Sequence, residues 1–414
     1  MRVLWFTNTP CNYQNYIGYG GGGWLTALQD ELCKRKDISL GVSFCMNEQL
    51  SKKEQVGTVY YPVQYYRRSI QEKLLDIIHI KDYRRDECAW AYYINNFKKV
   101  IEDFKPDVIE VFGSELYIGL ATIAAKQLSI PCCLHVQGIL SLSIYIFLTP
   151  GMSKWSYYLS NGLKNIYTNM QYIAYWKRSC YREKNILKAV PHVIGRTEWD
   201  KKAMEMLAPQ AKYHYGGEIL RACFYNHSER KLPSRAVIST TISNATYKGY
   251  DLLLKIANIL KNELYLEFEW NVYGNVNPQT AELITNIKHK DVNVNLYGVV
   301  IAEQLREHIL GSTLYCHTSY IENSPNSVAE AQMLGIPVVA ANVGGISSMV
   351  SPEEDGFLFP ATDPYMAAYY IKYLIENKDV NIELGKRANE NSKARHDKQK
   401  IVTQLLETYN TIIK

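Results

Sequence analysis

No stretch of this chain of 414 residues is long and apolar enough to cross a bilayer. The longest apolar run, Ile139–Leu148, is interrupted by serines and stops at Pro150. A signal peptide's charged start and long apolar run are also missing, because Met1–Phe6 reads directly as an apolar strand. Cysteine is modest and unpaired in pattern. The nine residues include no C-x-x-C spacing, their number is odd, and Cys132–Cys133 falls in a strand-like run. That excludes a zinc or disulfide framework and points to a reducing compartment. The cytoplasm is therefore the expected location. No Asp-x-Asp pair stands where it would hold a metal, so none is expected. A dinucleotide fingerprint needs a short G-x-G-x-x-G turn directly after a strand, and the glycines at 20–23 come too late. No internal repeat or low-complexity tract occurs.

What charge there is sits unevenly. The net +5 resolves into +7 over Met1–Glu218 and −2 over the remainder. Most of the excess lies in Gly151–Val190, which holds seven basic residues and one acid, Glu183, together with Trp155, Trp176 and six tyrosines. Basic residues mixed with Trp and Tyr suit an anionic membrane surface at the headgroup level. By composition they suit nucleic acid almost as well, although no nucleic-acid partner is expected. A helical excursion packed on its own domain, with solvated Lys and Arg, explains the segment slightly better, since it shows no clean amphipathic stripe.

Strand-like runs alternate with helical patterns throughout, the signature of βαβ units and parallel sheets. In the first half the runs are Arg2–Phe6, Leu40–Phe44, Asp107–Phe112, Pro131–Val136 and His192–Gly195. In the second they are Ala236–Ile242, Glu267–Tyr273, Asn293–Tyr297, Leu314–Thr318 and Pro337–Asn342. Helices are expected at Trp24–Arg35, Leu116–Gln127, Asp251–Asn262 and Tyr365–Glu376. This predicts an α/β chain of two doubly wound domains, 1–218 and 219–387, with a ligand cleft at the carboxyl ends of the strands. Gly216–Arg235 reads as the linker, with His227–Pro233 an exposed connector. Met46–Arg85 reads as a variable excursion.

The most informative segment runs from Glu322 to Glu330, Glu-Asn-Ser-Pro-Asn-Ser-Val-Ala-Glu, and on into an apolar strand. It predicts a loop, a helix with Ser324 as N-cap and Pro325 in its first turn, and a stop at Gly335 and Pro337. A helix start favours phosphate. Glu330, about a turn and a half further on, suits a diol attached to that phosphate, such as a ribose. Upstream, Lys248 follows a strand and precedes a helix, within reach of a diphosphate. Gly22 and Gly23 let backbone approach a ligand at a helix start. His135 and Gln137 alternate to one side of a strand end, where His135 reads first as a satisfied core histidine and second as a ligand contact. Arg196 and Glu198 lie where another strand turns into a helix; a pair tying the structure together is as good a reading of them as a ligand contact.

This pattern resembles the E-x7-E signature of the retaining glycosyltransferases of family 4, which have the GT-B fold. The likeness continues through Gly344-Gly345 and the Asp355-Gly-Phe-Leu358 turn. The resemblance implies that Glu322 holds the donor sugar's hydroxyls and Glu330 the ribose. Lys248 and the Asn323, Ser324, Asn326 and Ser327 backbone would take the diphosphate. Gly22, Gly23 and Arg196 would approach the donor, and Gly274 and Val299 would flank the nucleotide. His135 and Glu198 would lie toward the acceptor. It also implies that the last helix, within 388–414, crosses back to the first domain. Two family features are absent. The clamp arginine five residues before Lys248 is Ser243, and the usual histidine at the first-domain strand end is Gln137, which hydrogen-bonds but cannot act as a general acid or base.

The reading that follows is a metal-independent, retaining hexosyltransferase without a cofactor. A nucleoside-diphosphate sugar, UDP-linked by preference, would be its co-substrate. The acceptor would be a hydroxyl of a glycan, a lipid-linked glycan or another molecule, in surface polysaccharide or glycolipid assembly. Glu322, Lys248 and Gln137 would serve transfer, at the inner face of the membrane. A non-catalytic scaffold that binds nucleotide sugars, or an epimerase or phosphorylase on the same fold, remains the alternative.

Overall fold

The computed structural model describes residues 1–15, 22–72, 86–146, 148, 150–159, 162–226 and 230–414. The chain divides into two compact units. The first comprises Met1–Ile144, Met170–Ile219 and Asp397–Lys414; the second comprises Tyr145–Asn169 and Leu220–His396.

The first unit is built on a sheet of β1 (Arg2–Thr7), β2 (Ser39–Met46), β3 (Lys53–Gln55), β4 (Thr58–Gln64), β5 (Val108–Phe112), β6 (Cys132–His135), β7 (His192–Gly195) and β8 (Lys212–Tyr215). Their order is β3-β4-β2-β1-β5-β6-β7-β8, and every pairing is parallel except the β3–β4 hairpin. Strands buried on both faces read as continuous apolar runs, which is why Val3–Phe6 and Val108–Phe112 are legible in the sequence. The second unit contains β9 (Ala236–Thr241), β10 (Phe268–Tyr273), β11 (Val294–Gly298), β12 (Leu314–His317), β13 (Val338–Ala341) and β14 (Gly356–Phe359). Their order is β11-β10-β9-β12-β13-β14, all parallel.

Several expectations need correcting. The Met46–Arg85 excursion contains β3 and β4, with 73–85 outside the described residues. Pro62 hides β4, since proline argues against a central strand. Here β3 covers only Thr58–Tyr60, so the outer edge beside Pro62 needs no donor. β8 escapes the apolar pattern because it is a partly exposed edge of polar residues, Lys-Tyr-His-Tyr. The helix expected over Leu116–Gln127 is a 3-10 turn at Tyr117–Leu120 followed by a helix at Ala121–Gln127. That over Asp251–Asn262 runs from Tyr250 to Asn258 and ends in one π turn. Within the expected connector, 227–229 lie outside the described residues. Arg230 is not a solvated linker residue: it donates to Thr313 O at 2.7 Å and to Asn381 Oδ1 at 2.6 Å.

The terminal helix Lys398–Ile413 belongs to the first unit, where Trp5 Nε1 donates to the buried Tyr409 hydroxyl at 3.0 Å and that hydroxyl donates to Glu110. The division falls between His396 and Asp397, so 388–396 stays with the second unit. Among the described residues no helix is long and apolar enough to cross a membrane.

Candidate functional site

In the second unit the key carboxylate, Glu322, lies on the loop between β12 and the helix Asn326–Met333. The backbone of that loop is clasped by a glycine pair after β13. Gly345 N donates to Glu322 O at 3.0 Å, and a Cβ on Gly344, at φ 54°, would stand 1.8 Å from that same oxygen. Only glycine permits this approach. The Glu322 side chain meets Lys248 Nζ in an ion pair, accepts from Ser319 Oγ at 2.8 Å and lies 3.5 Å from His317 Nε2. Lys248 comes from a 3-10 turn after β9 that ends on Gly249 at φ 73°. A Cβ there would be 1.9 Å from Thr318 O, so the turn is pressed directly on the strand end that carries His317 and Ser319.

The electrostatics follow from burial and charge together. Burial alone would raise the Glu322 carboxyl. The Lys248 ammonium, reinforced by His317, overcomes that and holds it well below the usual carboxylate range. For Lys248, burial pulls down and Glu322 pulls up, and the net direction is up. Both groups are therefore charged at neutral pH. An ammonium has three N–H donors, so Lys248 can serve Glu322 and a phosphate oxygen at once.

The helix itself departs from expectation at its start. Ser324 is not the cap. Pro325 occupies that position with extended backbone (φ −68°, ψ 122°), and its carbonyl accepts from Val328 N at 3.0 Å. Because Pro325 itself is extended, the helix starts at Asn326. Its end is as expected: Gly335 at φ 74° closes it, with Ile336 N bonded back to Ala331 O at 3.0 Å. Glu330 is buried on the inner face, and both its oxygens face Arg221, at 2.7 Å from Nε and 2.7 Å from Nη2. Burial nevertheless leaves the Glu330 carboxyl raised, with Arg221 opposing.

Gly274 and Val299 come from adjacent strand ends. Gly274 N donates to Gly298 O at 2.7 Å, while Val299 is exposed. Next to them Tyr273 stacks on Tyr297 and on His308, with centroids 5.3 and 5.0 Å apart. Ser243, in place of the clamp arginine, is exposed. Sequence reasoning missed His317, Ser319 and this aromatic trio. Ser319 could have been found three residues before Glu322, but the trio comes from three separate elements and leaves no local signal.

In the first unit, Gly23 opens the helix Gly23–Cys33, and Gly22 precedes it. A Cβ on Gly22 would lie 3.0 Å from Thr9 Cγ2, which accounts for a glycine there; Gly20 and Gly21 fall outside the described residues. His135 does not present itself to a ligand. It is 1% exposed, bonded through Nδ1 to Glu110 Oε1 at 2.8 Å and packed between Phe112 and Trp24. Arg196 pairs with Glu218 at 2.6 Å, and its amide donates to Asp200 Oδ2 at 2.9 Å. Glu198 accepts from the Tyr215 hydroxyl. These pairings favour the structural reading of Arg196 and Glu198. Gln137 lies just past β6 in front of Gly138, whose amide donates to Glu115. Among the described residues there is no group of three or more His, Cys, Asp or Glu that could hold a metal ion.

With this geometry in hand, comparison with known proteins is informative. Residues 227–395, which contain Lys248, Glu322 and Glu330, match the family model described as "Glycosyl transferases group 1". Across 99% of this chain and 98% of the other, the structure superposes on sucrose-phosphate synthase from Thermosynechococcus elongatus with a TM-score of 0.73 at 16% identity. The fold is GT-B. A second GT-B neighbour is Anabaena Alr3699/HepE in complex with UDP-glucose, at a TM-score of 0.62 and 17% identity over 99% of this chain and 100% of that one. In sequence, TuaC of Bacillus subtilis (strain 168), named for glycosyl transfer in teichuronic acid biosynthesis, is 29% identical over 118 residues. That match spans 28% of this chain and 30% of the relative's length.

Proposed function

We propose that this protein is a retaining glycosyltransferase, of the family 4 type, that moves a hexose from UDP to a hydroxyl of a surface polysaccharide or glycolipid without a metal. The observation that carries the reading is the Lys248–Glu322 ion pair, seated one loop away from the helix that carries Glu330. In such a transfer the bond from the anomeric carbon to the phosphate oxygen breaks, a bond to the acceptor oxygen forms, and the acceptor's proton passes to the leaving phosphate. Negative charge grows on the diphosphate, and stabilising it is the main task. Lys248 and the backbone of Asn323–Ser327 at the helix start supply that stabilisation. Glu322 accepts hydrogen bonds from the donor sugar's hydroxyls, and Glu330 those of the ribose, with Arg221 moving aside or sharing the Glu330 carboxylate's lone pairs with them. The name of TuaC supports a polysaccharide setting, and the UDP-glucose complex of the Anabaena protein supports the donor class. The exposed Trp155, Leu159 and Tyr167, with the lysines among them, fit attachment to an anionic membrane surface.

The experiment is turnover of UDP-glucose, UDP-galactose and UDP-N-acetylglucosamine in EDTA, reading UDP release with and without membrane extract. UDP release that requires Lys248 supports the reading. Binding of a UDP-sugar with no release under any condition would establish the alternative, a non-catalytic scaffold. One observation favours that alternative: Ser243 leaves the expected clamp position without a cation.

A further inference from the structure

One carboxylate of the first unit is placed as if for a ligand. Glu115 lies just past the end of β5, on the loop Gly113-Ser114-Glu115. Its Oε1 accepts from Gly138 N, at the end of the neighbouring β6, and its Oε2 is out of solvent without a hydrogen-bond partner. Two glycines make room for the carboxyl. A Cβ on Gly113, at φ 91°, would stand 2.3 Å from Oε2, and one on Gly138 would stand 2.9 Å from Oε1. The same point above Gly113 lies 3.2 Å from Asn8 Nδ2 and 3.4 Å from Gln137 Cγ, so three polar side chains from the ends of β1, β5 and β6 converge there. A second orphan, Thr9 Oγ1, sits on the loop after β1.

The nearby Glu183 is different. Its oxygens accept from Ser114 Oγ at 2.8 Å, Leu140 N at 3.0 Å and Ser141 N at 2.7 Å, so it is spent on the fold. Arg196 is engaged by Glu218. A buried carboxyl left half-satisfied is costly unless something completes it. The carboxyl ends of adjacent parallel strands are where such sheets bind ligands. A phosphate would meet a carboxylate here, whereas a neutral hydroxyl would find acceptor and donor groups.

We propose that Glu115, with Asn8 and Gln137 beside it, is a binding site for a sugar hydroxyl in the first unit, Glu115 Oε2 accepting the hydrogen bond. Assigning that sugar to the transfer reaction rests on the function proposed above; the hydroxyl site itself does not. The burial that pushes this carboxyl up to about 7 is the same desolvation that a bound hydroxyl would relieve.

The test is saturation-transfer NMR on the full chain at pH 8, with glucose, galactose, N-acetylglucosamine and glycerol as probes and UDP in the same sample. Saturation transfer to at least one saccharide is expected, falling at least tenfold in Glu115→Gln. Glu115→Asp, which retracts the charge by one methylene, is expected to lose it too and serves if the glutamine variant melts abnormally. Equal signals in wild type and variants, or no saccharide signal from the wild type, would overturn the proposal. The UDP signal reads the second unit independently: its absence would count against the nucleotide-sugar reading, while the saccharide signals alone decide the role of Glu115.

Discussion

Glu322 and Lys248 stabilise each other in the fold as it stands. Replacing Glu322 by Gln leaves a largely buried ammonium without its partner, a loss of about 1–3 kcal/mol, with turnover falling ~100-fold or more if the carboxylate orients the donor sugar. Its pH dependence has a definite sign. A carboxyl held below its unfolded value contributes stability that is full above about pH 4.5 and is lost as pH falls toward the folded value. The melting temperature of wild type should therefore exceed that of Glu322→Gln at pH 7, and the gap should shrink in melts run below pH 4. Glu115 works the other way. Raised to about 7, mainly by burial and further by Glu183, with its own amide, Gly138 N and Arg196 opposing, it destabilises the fold progressively as pH rises from about 4.5 to 7. Glu115→Gln should gain in melting temperature relative to wild type at pH 8 and not at pH 5. At this scale the sequence was half legible. Glu322, Glu330 and Lys248 could be singled out because they stand at fixed places around strand ends and a helix start. Arg221 on Glu330, and Ser319 and His317 on Glu322, could not, since such pairings depend on where separate turns meet. His135 allowed two readings, a core histidine and a ligand contact, because strand alternation gives the side on which a residue points but not what covers that side.

Among the elements, the strands buried on both faces were readable as apolar runs, and the ones missed are those that break the rule. β4 contains a proline, β8 is polar and at an edge, and β14 is only Gly356–Phe359, just after a turn. The helix Asn326–Met333 was legible in its extent and its glycine stop, but not in its start: the sequence offered Ser324 as the cap with Pro325 in the first turn, and Pro325 is extended instead. Glycines let the loops around it make two close backbone approaches. Gly249→Ala and Gly344→Ala would each drive a Cβ into a carbonyl oxygen, at 1.9 and 1.8 Å, from a left-handed backbone. Each should cost more than the ~1–3 kcal/mol of backbone strain alone, read as a lower urea midpoint, and should weaken UDP binding by displacing Lys248 or Glu322. Unchanged midpoints in both would mean that these turns are not held as described.

At the scale of the molecule, two parallel sheets in series were evident from the alternation of strand and helix patterns, and the chain divides at Ile219–Leu220. The assignment of Tyr145–Asn169 to the second unit was not evident, because chain order gives no sign of a segment that leaves its own unit and returns. That segment carries Trp155 and Leu159, both exposed. Trp155→Ala combined with Lys154→Glu should reduce co-sedimentation with vesicles containing anionic phospholipid, and to a smaller extent with neutral ones. Equal sedimentation of variant and wild type would remove the membrane surface from the account. The central claim is that the second unit holds a nucleoside diphosphate between Lys248, Glu322 and the helix of Glu330. Calorimetric titration of UDP into the full chain in EDTA tests it most directly. The account predicts one site in the wild type, weakened at least tenfold in Lys248→Ala and in Glu330→Ala; UDP binding of equal strength in all three proteins, or none in the wild type, would contradict it.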